Sequence, residues 1–154
     1  MNGVSQITAA EDVALVTLYK VPSKIEYTAQ LFGYLAERRI NVDMISQTAP
    51  RGTEVDLSFT VSDDQVVEVL ELSNLVREKT PSVQTSVSSS NVKLTISGEE
   101  MPDTYGVAAR VFETLCGAGV ELLLVTTSEV DISVLVSSGD YPAAEEALRK
   151  AFAV

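Results

Sequence analysis

The sequence predicts an α+β protein made of two tandem copies of one β-α-β-β-α-β unit. Three observations lead to this fold class. A segment repeats at an offset of about 80 residues, the spacing of apolar residues alternates between strand-like and helix-like within each copy, and a short insertion in the first copy reduces the offset to about 75. This order of elements places the helices on one face of a four-stranded sheet.

The repeat extends through the first helix and the two strands that follow it in each copy. Three pairs of segments carry it: Thr28–Leu35 with Ala108–Leu115, Ile40–Val42 with Val120–Leu122, and Glu54–Phe59 with Glu129–Val134. The insertion in the first copy is Ala49–Thr53, and its Pro and Gly indicate a hairpin turn.

Within each copy, periodicity assigns the elements. Strands are predicted at residues 14–18, 41–47, 54–61 and 83–87 in the first copy, and at residues 92–96, 120–126 and 129–134 in the second. Helices are predicted around Leu31–Leu35 and Val107–Cys116, from a capping box at Ser62–Gln65 to about Lys79, and from Asp140 towards the C-terminus. Gly117 and Gly119 are expected to end the second of these helices.

The second copy reaches its second helix with no fourth strand left. Val4–Thr8 is a strand-like stretch at the N-terminus, so residues 3–9 are expected to complete the second sheet. The predicted domains are therefore residues 10–89 and residues 90–154 with 3–9, joined by a linker at Ser88–Ser90. Residues 120–126 are apolar at nearly every position, which predicts a strand covered on both faces.

Composition excludes several classes of function. The formal net charge of −11, with basic residues scattered along the chain, disfavours binding to nucleic acids or anionic membranes. No apolar run could span a bilayer, and no secretory signal is expected because residues 1–12 lack the basic, apolar and small-residue layout of one. The single cysteine, Cys116, fits a cytoplasmic protein, and beside Phe112 it is expected to pack inertly in the core. Without histidine, no histidine-dependent catalytic triad or metal site can form, and we predict no catalytic residue, cofactor or metal ligand.

The chain resembles the pair of ACT domains at the C-terminus of aspartokinases. The resemblance covers nearly all of the sequence and implies two ferredoxin-like βαββαβ units. It rests on five stretches: Val13–Leu18 with Val21-Pro22, Ile40–Gln47, Gly106–Glu113, and Thr126–Leu135. The last of these is more typical of aspartokinases than of ACT domains in general.

The resemblance implies allosteric control of aspartate phosphorylation by an end-product amino acid, lysine or threonine. The effector would lie between ACT units, where the loop after the first strand meets the second strand of a neighbouring unit. The implied effector-binding residues are Ser23, Lys24, Ile25, Glu26, Thr28, Asn41, Asp43 and Gln47 in the first copy, and Met101, Tyr105, Gly106, Glu121 and Leu122 in the second. At least a homodimer is expected, with a larger aspartokinase catalytic subunit as a further partner.

Two departures from the family pattern affect this implied site. The family's first loop reads Asp-Lys-Pro-Gly, whereas this chain has Ser23–Glu26, and the family's Asn on the second strand of the second unit is Glu121. A carboxylate in either place disfavours the carboxylate of an amino acid, which leaves the site weakened, repurposed or lost. Because no glycine-rich nucleotide-binding segment is present, three interpretations stay open: the regulatory part of an aspartokinase, a stand-alone sensor of another small molecule, and a structural dimerisation module.

Overall fold

The structure is a computed structural model that describes residues 2–154. Its strands are β1 (Gln6–Pro22), β2 (Ile45–Gln47), β3 (Glu54–Ser62), β4 (Gln84–Ser97), β5 (Leu124–Thr127) and β6 (Asp131–Ser137). Its helices are α1 (Ile25–Glu37), α2 (Val66–Lys79), α3 (Val107–Gly117) and α4 (Tyr141–Phe152), with 3₁₀ turns at Asp63–Gln65 and Met101–Asp103. Across residues 2–154, every helix is too short or too polar to span a bilayer.

The chain folds into two compact units. The first unit is Asp12–Ser89, and the second combines the N-terminal residues up to Glu11 with Ser90–Val154. Strand order is β2-β3-β1-β4 in the first unit and β1-β4-β6-β5 in the second, because β1 and β4 each contribute one segment to each unit. The register pairs of β1 with β3, β2 with β3, β4 with β6 and β5 with β6 are all antiparallel. The predicted fold class, two ferredoxin-like units, is confirmed.

Each unit has its own core between its sheet and its pair of helices. In the first unit Val16, Leu57 and Phe59 of the sheet pack against Leu35 of α1 and Leu72 of α2. The second core is built in the same way from Leu94, Val134, Val111, Leu148 and Phe152. The alternating apolar residues of the strands thus meet the apolar stripes of the helices, as their periods of 2 and 3.6 require.

The repeat is also visible in polar contacts on the opposite face of each sheet. The hydroxyl oxygens of Thr17 and Ser58 lie 3.1 Å apart across β1 and β3. Those of Thr95 and Ser133 lie 3.2 Å apart across β4 and β6. The two copies therefore preserve the same cross-strand hydroxyl pair as well as the same apolar pattern.

The beginning of the chain belongs to the second unit. The backbone N–H of Ser5 donates to the carbonyl of Ser97 over 2.9 Å, and the side-chain amide of Asn2 donates to the carbonyl of Phe152 over 2.7 Å. The Arg149 guanidinium donates to the carbonyl of Ile7 over 3.1 Å. These bonds attach the N-terminal strand to β4 and to the end of α4.

Four predicted strands are in fact two longer ones. The N-terminal stretch and the strand predicted at 14–18 form one continuous strand, β1, and the strands predicted at 83–87 and 92–96 form another, β4. The predicted connection between the copies at Ser88–Ser90 lies where the two units divide, but these serines lie inside β4 rather than in a linker. The chain passes from one unit to the other at Asp12 and Ser90, whose φ angles of 58° and 61° are positive. Neither residue ends its strand.

Two local predictions also need correction. The capping box at Ser62–Gln65 does not form: Asp63–Gln65 is a 3₁₀ turn, Ser62 makes no side-chain capping bond, and α2 begins at Val66. Of the strand predicted at 41–47, only β2 joins the ladder. Asp43 and Met44 instead donate their N–H groups to the carbonyl and hydroxyl oxygens of Thr60.

The burial of two apolar segments differs from the prediction. On α3 the buried residues are Val107, Val111 and Leu115, whereas Phe112 is 38% exposed and Cys116 is exposed, so core packing of Cys116 is wrong. Residues 120–126 are half-buried or exposed in the single chain, with Leu122 38% exposed. An apolar strand with an uncovered face marks a surface that the single chain leaves unburied.

Candidate effector site

The loop between β1 and α1 forms the first group of predicted effector residues. Ser23 donates its N–H to the carbonyl of Thr53 over 2.9 Å, which holds the loop against the turn before β3. Lys24 is the N-cap of α1 in an extended conformation, and its side chain makes no capping bond. The first-turn amides of α1 therefore receive no side-chain cap from Lys24, and helix termini of this kind attract carboxylates.

Glu26 occupies the first turn of α1 and changes how the helix starts. In the second unit the corresponding residue is Gly106, which is the N-cap of α3 with φ 82° and ψ 12°. A left-handed conformation is open to Gly but costly for Glu, so α1 instead continues back to Ile25, two positions earlier than α3 in repeat register. The substitution thus alters the backbone at the predicted site and also adds a charge to it.

The second loop keeps an uncharged helix start. The first turn of α3 contains no acidic residue, and a Cβ at Gly106 would meet no atom within 4 Å. Tyr105 is completely exposed, and it borders an open cavity of about 570 Å³ together with Glu100, Asp103 and Thr104. Met101 is buried in the hydrophobic core of the second unit. The start of α3 is the less hindered of the two helix termini.

The second group of predicted effector residues lies in or just before the edge strand of each unit. In the first unit Gln47 belongs to β2, beside the exposed Ile45, and Asn41 and Asp43 are exposed residues before it. In the second unit Glu121 and Leu122 precede β5. The Glu121 N–H donates to the Asp140 carboxylate over 3.2 Å, so this backbone donor is already occupied.

Each sheet separates the predicted residues into two groups at opposite ends. Pro22 pairs with Glu54 and Gln47 pairs with Leu57, which places Gln47 at the end of the sheet that carries Ser23 and Lys24. Asp43 donates its N–H to the carbonyl of Thr60. Asp43 is four residues before Gln47, which at about 3.3 Å per residue places the two about 13 Å apart along the edge of the sheet.

The second unit repeats this separation. Thr127 pairs with Ile132 at the end near Ser97, whereas Glu121 lies beyond Leu124 towards the other end. Within one unit, therefore, the loop before the first helix does not meet the residues that precede the edge strand, which are Asn41 and Asp43 in the first unit and Glu121 and Leu122 in the second.

Two exposed apolar residues are absent from the predicted site: Ile45, which is 51% exposed, and Phe112 on α3, which is 38% exposed. The predicted residues Ile25 and Leu122 are exposed as well, at 73% and 38%. A signal for Phe112 was present in the sequence, because α3 carries two apolar stripes, and a helix with two stripes buries only one against a single sheet. Among residues 2–154, no three His, Cys, Asp or Glu side chains converge as metal ligands.

Comparisons with known proteins agree with the observed fold along the whole chain. The family model of the ACT domain matches residues 20–72 and 94–152. The regulatory subunit of aspartate kinase from Thermus thermophilus, in its ligand-free form, superposes with a TM-score of 0.88 at 31% identity, over 97% of this chain and 99% of that one. A structure of aspartokinase alpha and beta subunits gives a TM-score of 0.84 at 31% identity, over 98% and 99%.

Curated relatives are longer than this chain. The aspartokinase of Helicobacter pylori strain 26695 is 34% identical over 151 residues, which are 98% of this chain and 36% of that protein. The aspartokinase of Bacillus sp. strain MGA3 is 31% identical over 97% of this chain and again 36% of its own length. The chain thus spans about a third of these relatives, and it belongs to the ACT-domain family, among the regulatory regions and regulatory subunits of aspartokinases.

Proposed function

We propose that this chain binds an amino acid, lysine or threonine, and thereby controls the aspartate phosphorylation carried out by a larger aspartokinase catalytic subunit. The observation that carries this proposal is the end-to-end similarity to an aspartate kinase regulatory subunit. The match covers 97% of this chain and 99% of that subunit. The similarity to one chain of a structure of alpha and beta subunits supports the catalytic partner. The pathway served would be the synthesis of amino acids from aspartate.

The start of α3 is the proposed carboxylate-binding half of the site. Gly106 leaves the helix terminus open, and the first turn contains no acidic residue. The corresponding turn of α1 contains Glu26, which already interacts favourably with that helix terminus and repels a second carboxylate. One helix terminus per chain, rather than two, would then receive the effector carboxylate.

A second copy of the chain is proposed to complete the site. The loop and the first half of the edge strand lie at opposite ends of each unit. A two-fold axis beside an edge strand would bring the Asn41–Asp43 or Glu121–Leu122 end of one chain to the loop end of its partner.

We also propose that the chain divides into two ACT domains, residues 10–89 and residues 90–154, with residues 3–9 added to the second.

A thermal-denaturation screen against the twenty amino acids and diaminopimelate tests the effector. A ligand that binds only the folded chain at 100 times its Kd adds about 2.7 kcal/mol, which moves the Tm of a small domain by several degrees. We expect a shift with lysine or threonine that Gly106→Asp abolishes and Glu26→Gly leaves in place.

Gly106→Asn is the matched control for the charge. Asn and Asp both tolerate the left-handed conformation, so only the carboxylate differs between the two variants. Equal loss of the shift in both variants would contradict carboxylate binding at α3. A shift with an unrelated metabolite alone would favour a sensor of another molecule, and no shift with any ligand would favour a structural module.

A further inference from the structure

The first unit contains a cavity that lies above its hydrophobic core and shares no residue with the proposed effector site. It has a volume of about 210 Å³ and lies between α1 and α2. Leu31 and Val76, both buried, form its apolar floor, and Tyr27, Tyr34 and Lys79 form its rim. The cavity therefore combines an apolar interior with one cation at its mouth.

The second unit shows what fills the corresponding place there. Phe152 is the last buried residue of α4, as Val76 is the last buried residue of α2. Arg110, the repeat counterpart of Gln30, lies 5.3 Å from the centroid of the Phe152 ring and donates to the carbonyl of Ala151. The second unit thus places an aromatic ring under a cation, where the first unit has a smaller Val side chain and a cavity.

The cation at the mouth of the cavity is held in place but not neutralised. The Lys79 ammonium donates to the hydroxyl of Tyr34 over 2.5 Å and lies 4.9 Å from the centre of the Tyr34 ring. The Gln30 amide donates to the same hydroxyl over 2.9 Å. In the described part of the chain no carboxylate lies within ion-pair distance of Lys79. An ammonium has three N–H donors, so two can bind an anionic ligand.

We propose that this cavity binds a small carboxylic acid that carries a ring-sized apolar group. An apolar cavity of about 150 Å³ is enough to hold benzene, so the volume fits a phenyl or similar group. The carboxylate would pair with Lys79, and such charge-assisted bonds are the strong ones in partly desolvated sites. The proposal is independent of the effector at α3, because the two sites share no residue.

Binding of 3-phenylpropionate to the full chain, followed by backbone amide chemical shifts, tests the proposal. We expect saturable shifts centred on Tyr27, Leu31 and Val76, and weaker binding of the uncharged analogue 3-phenylpropanol. Val76→Phe should abolish binding, because it places a ring in the cavity as Phe152 does in the second unit. Lys79→Gln should weaken binding about tenfold or more.

Lys150→Gln is the matched control, since Lys150 is an exposed lysine in the last turn of α4. It should leave the affinity for 3-phenylpropionate unchanged. Absence of saturable shifts at millimolar probe, shifts centred on Gly106, or equal losses in Lys79→Gln and Lys150→Gln would each overturn the proposal. Lys79→Gln changes an exposed side chain, so the test does not depend on the folding of Val76→Phe.

Discussion

At the scale of single residues, the first helix of each repeat ends with the same hydrogen bonds but with a different amino acid in the left-handed conformation. After α3, Gly119 has φ 71°, and the N–H groups of Gly119 and Val120 donate to the carbonyls of Cys116 and Leu115. After α1, Arg39 has φ 56°, and the N–H groups of Arg39 and Ile40 donate to Ala36 and Leu35. The pattern of hydrogen bonds is the same, but only Gly adopts this conformation without a steric cost.

We predict that Arg39→Gly stabilises the first unit by about 0.5–1 kcal/mol, because it removes the strain of a left-handed residue. The reverse change, Gly119→Arg, should destabilise the second unit by about 1 kcal/mol, although a Cβ there would meet no atom within 4 Å. Urea unfolding followed by circular dichroism measures both. Arg39→Ala is the control for charge, and a gain in stability as large as that of Arg39→Gly would contradict the conformational explanation.

Residue-level reasoning predicted some details of the site and missed others. That Glu26 places a carboxylate at the loop was clear from the sequence. That it also moves the start of α1 by two positions was not, because the conformation of Gly106 depends on the backbone around it. Cys116 was misplaced for a related reason: a helix with two apolar stripes does not reveal which stripe meets the sheet.

At the scale of elements, α4 is fixed by a short polar network. The Arg149 guanidinium donates to the Glu145 carboxylate over 2.8 Å and to the carbonyl of Ile7 in β1. The hydrogen bond from Tyr141, followed by the bond from Arg149, holds the pKa of Glu145 below its usual range. The network thus joins one turn of α4 to the strand that the chain's N-terminus contributes.

We predict that the free energy of unfolding falls at acid pH and that this fall is absent in the Glu145→Gln variant. Because the folded state lowers the pKa of Glu145, its contribution is complete above the pKa of the unfolded chain and disappears as the pH falls through the folded pKa. The effect should be about 0.5 kcal/mol, the size of a surface i,i+4 pair. Urea midpoints between pH 3 and pH 7 measure it, in the range set by carboxyl pKa values of about 4.

Glu146→Gln is the control, since Glu146 is exposed one position further along α4. An identical loss of pH dependence in both variants would mean that general charge, rather than the network around Arg149, sets the acid limit. A pH dependence unchanged in Glu145→Gln would contradict the assigned role of this carboxylate.

The order and type of the elements were predictable, whereas their continuity was not. Alternating apolar residues in β3 and the stripes of α3 and α4 identify those elements without the structure. Three serines at 88–90 are typical of a linker, yet they continue β4, because neighbouring strands supply hydrogen-bond partners that a local pattern does not contain. Asp12 and Ser90 mark the changes of unit only through their φ angles.

At the scale of the whole molecule, the single chain leaves two sheet edges and several apolar side chains uncovered. The edge strands β2 and β5 are only three and four residues long. Ile45 in β2 and Leu122 just before β5 are exposed apolar residues, and so is Phe112 on α3. Exposed edges and apolar stripes are usually covered by another chain, and the proposed effector site, whose two halves lie apart within one unit, would be completed by one.

We therefore predict that the chain is a homodimer in solution, with a mass by light scattering of twice that of one chain at micromolar concentration. Phe112→Lys should weaken the dimer at least tenfold, because it places a charge in an apolar contact and removes an aromatic anchor. Glu113→Lys is the matched control: its neighbouring position on α3 is exposed, and it introduces the same side chain. Equal dissociation of both variants would mean that added charge alone disrupts the assembly. A monomeric wild-type chain would show that the two halves of each site are not joined by a second copy, and the effector would then have to bind at the start of α3 alone.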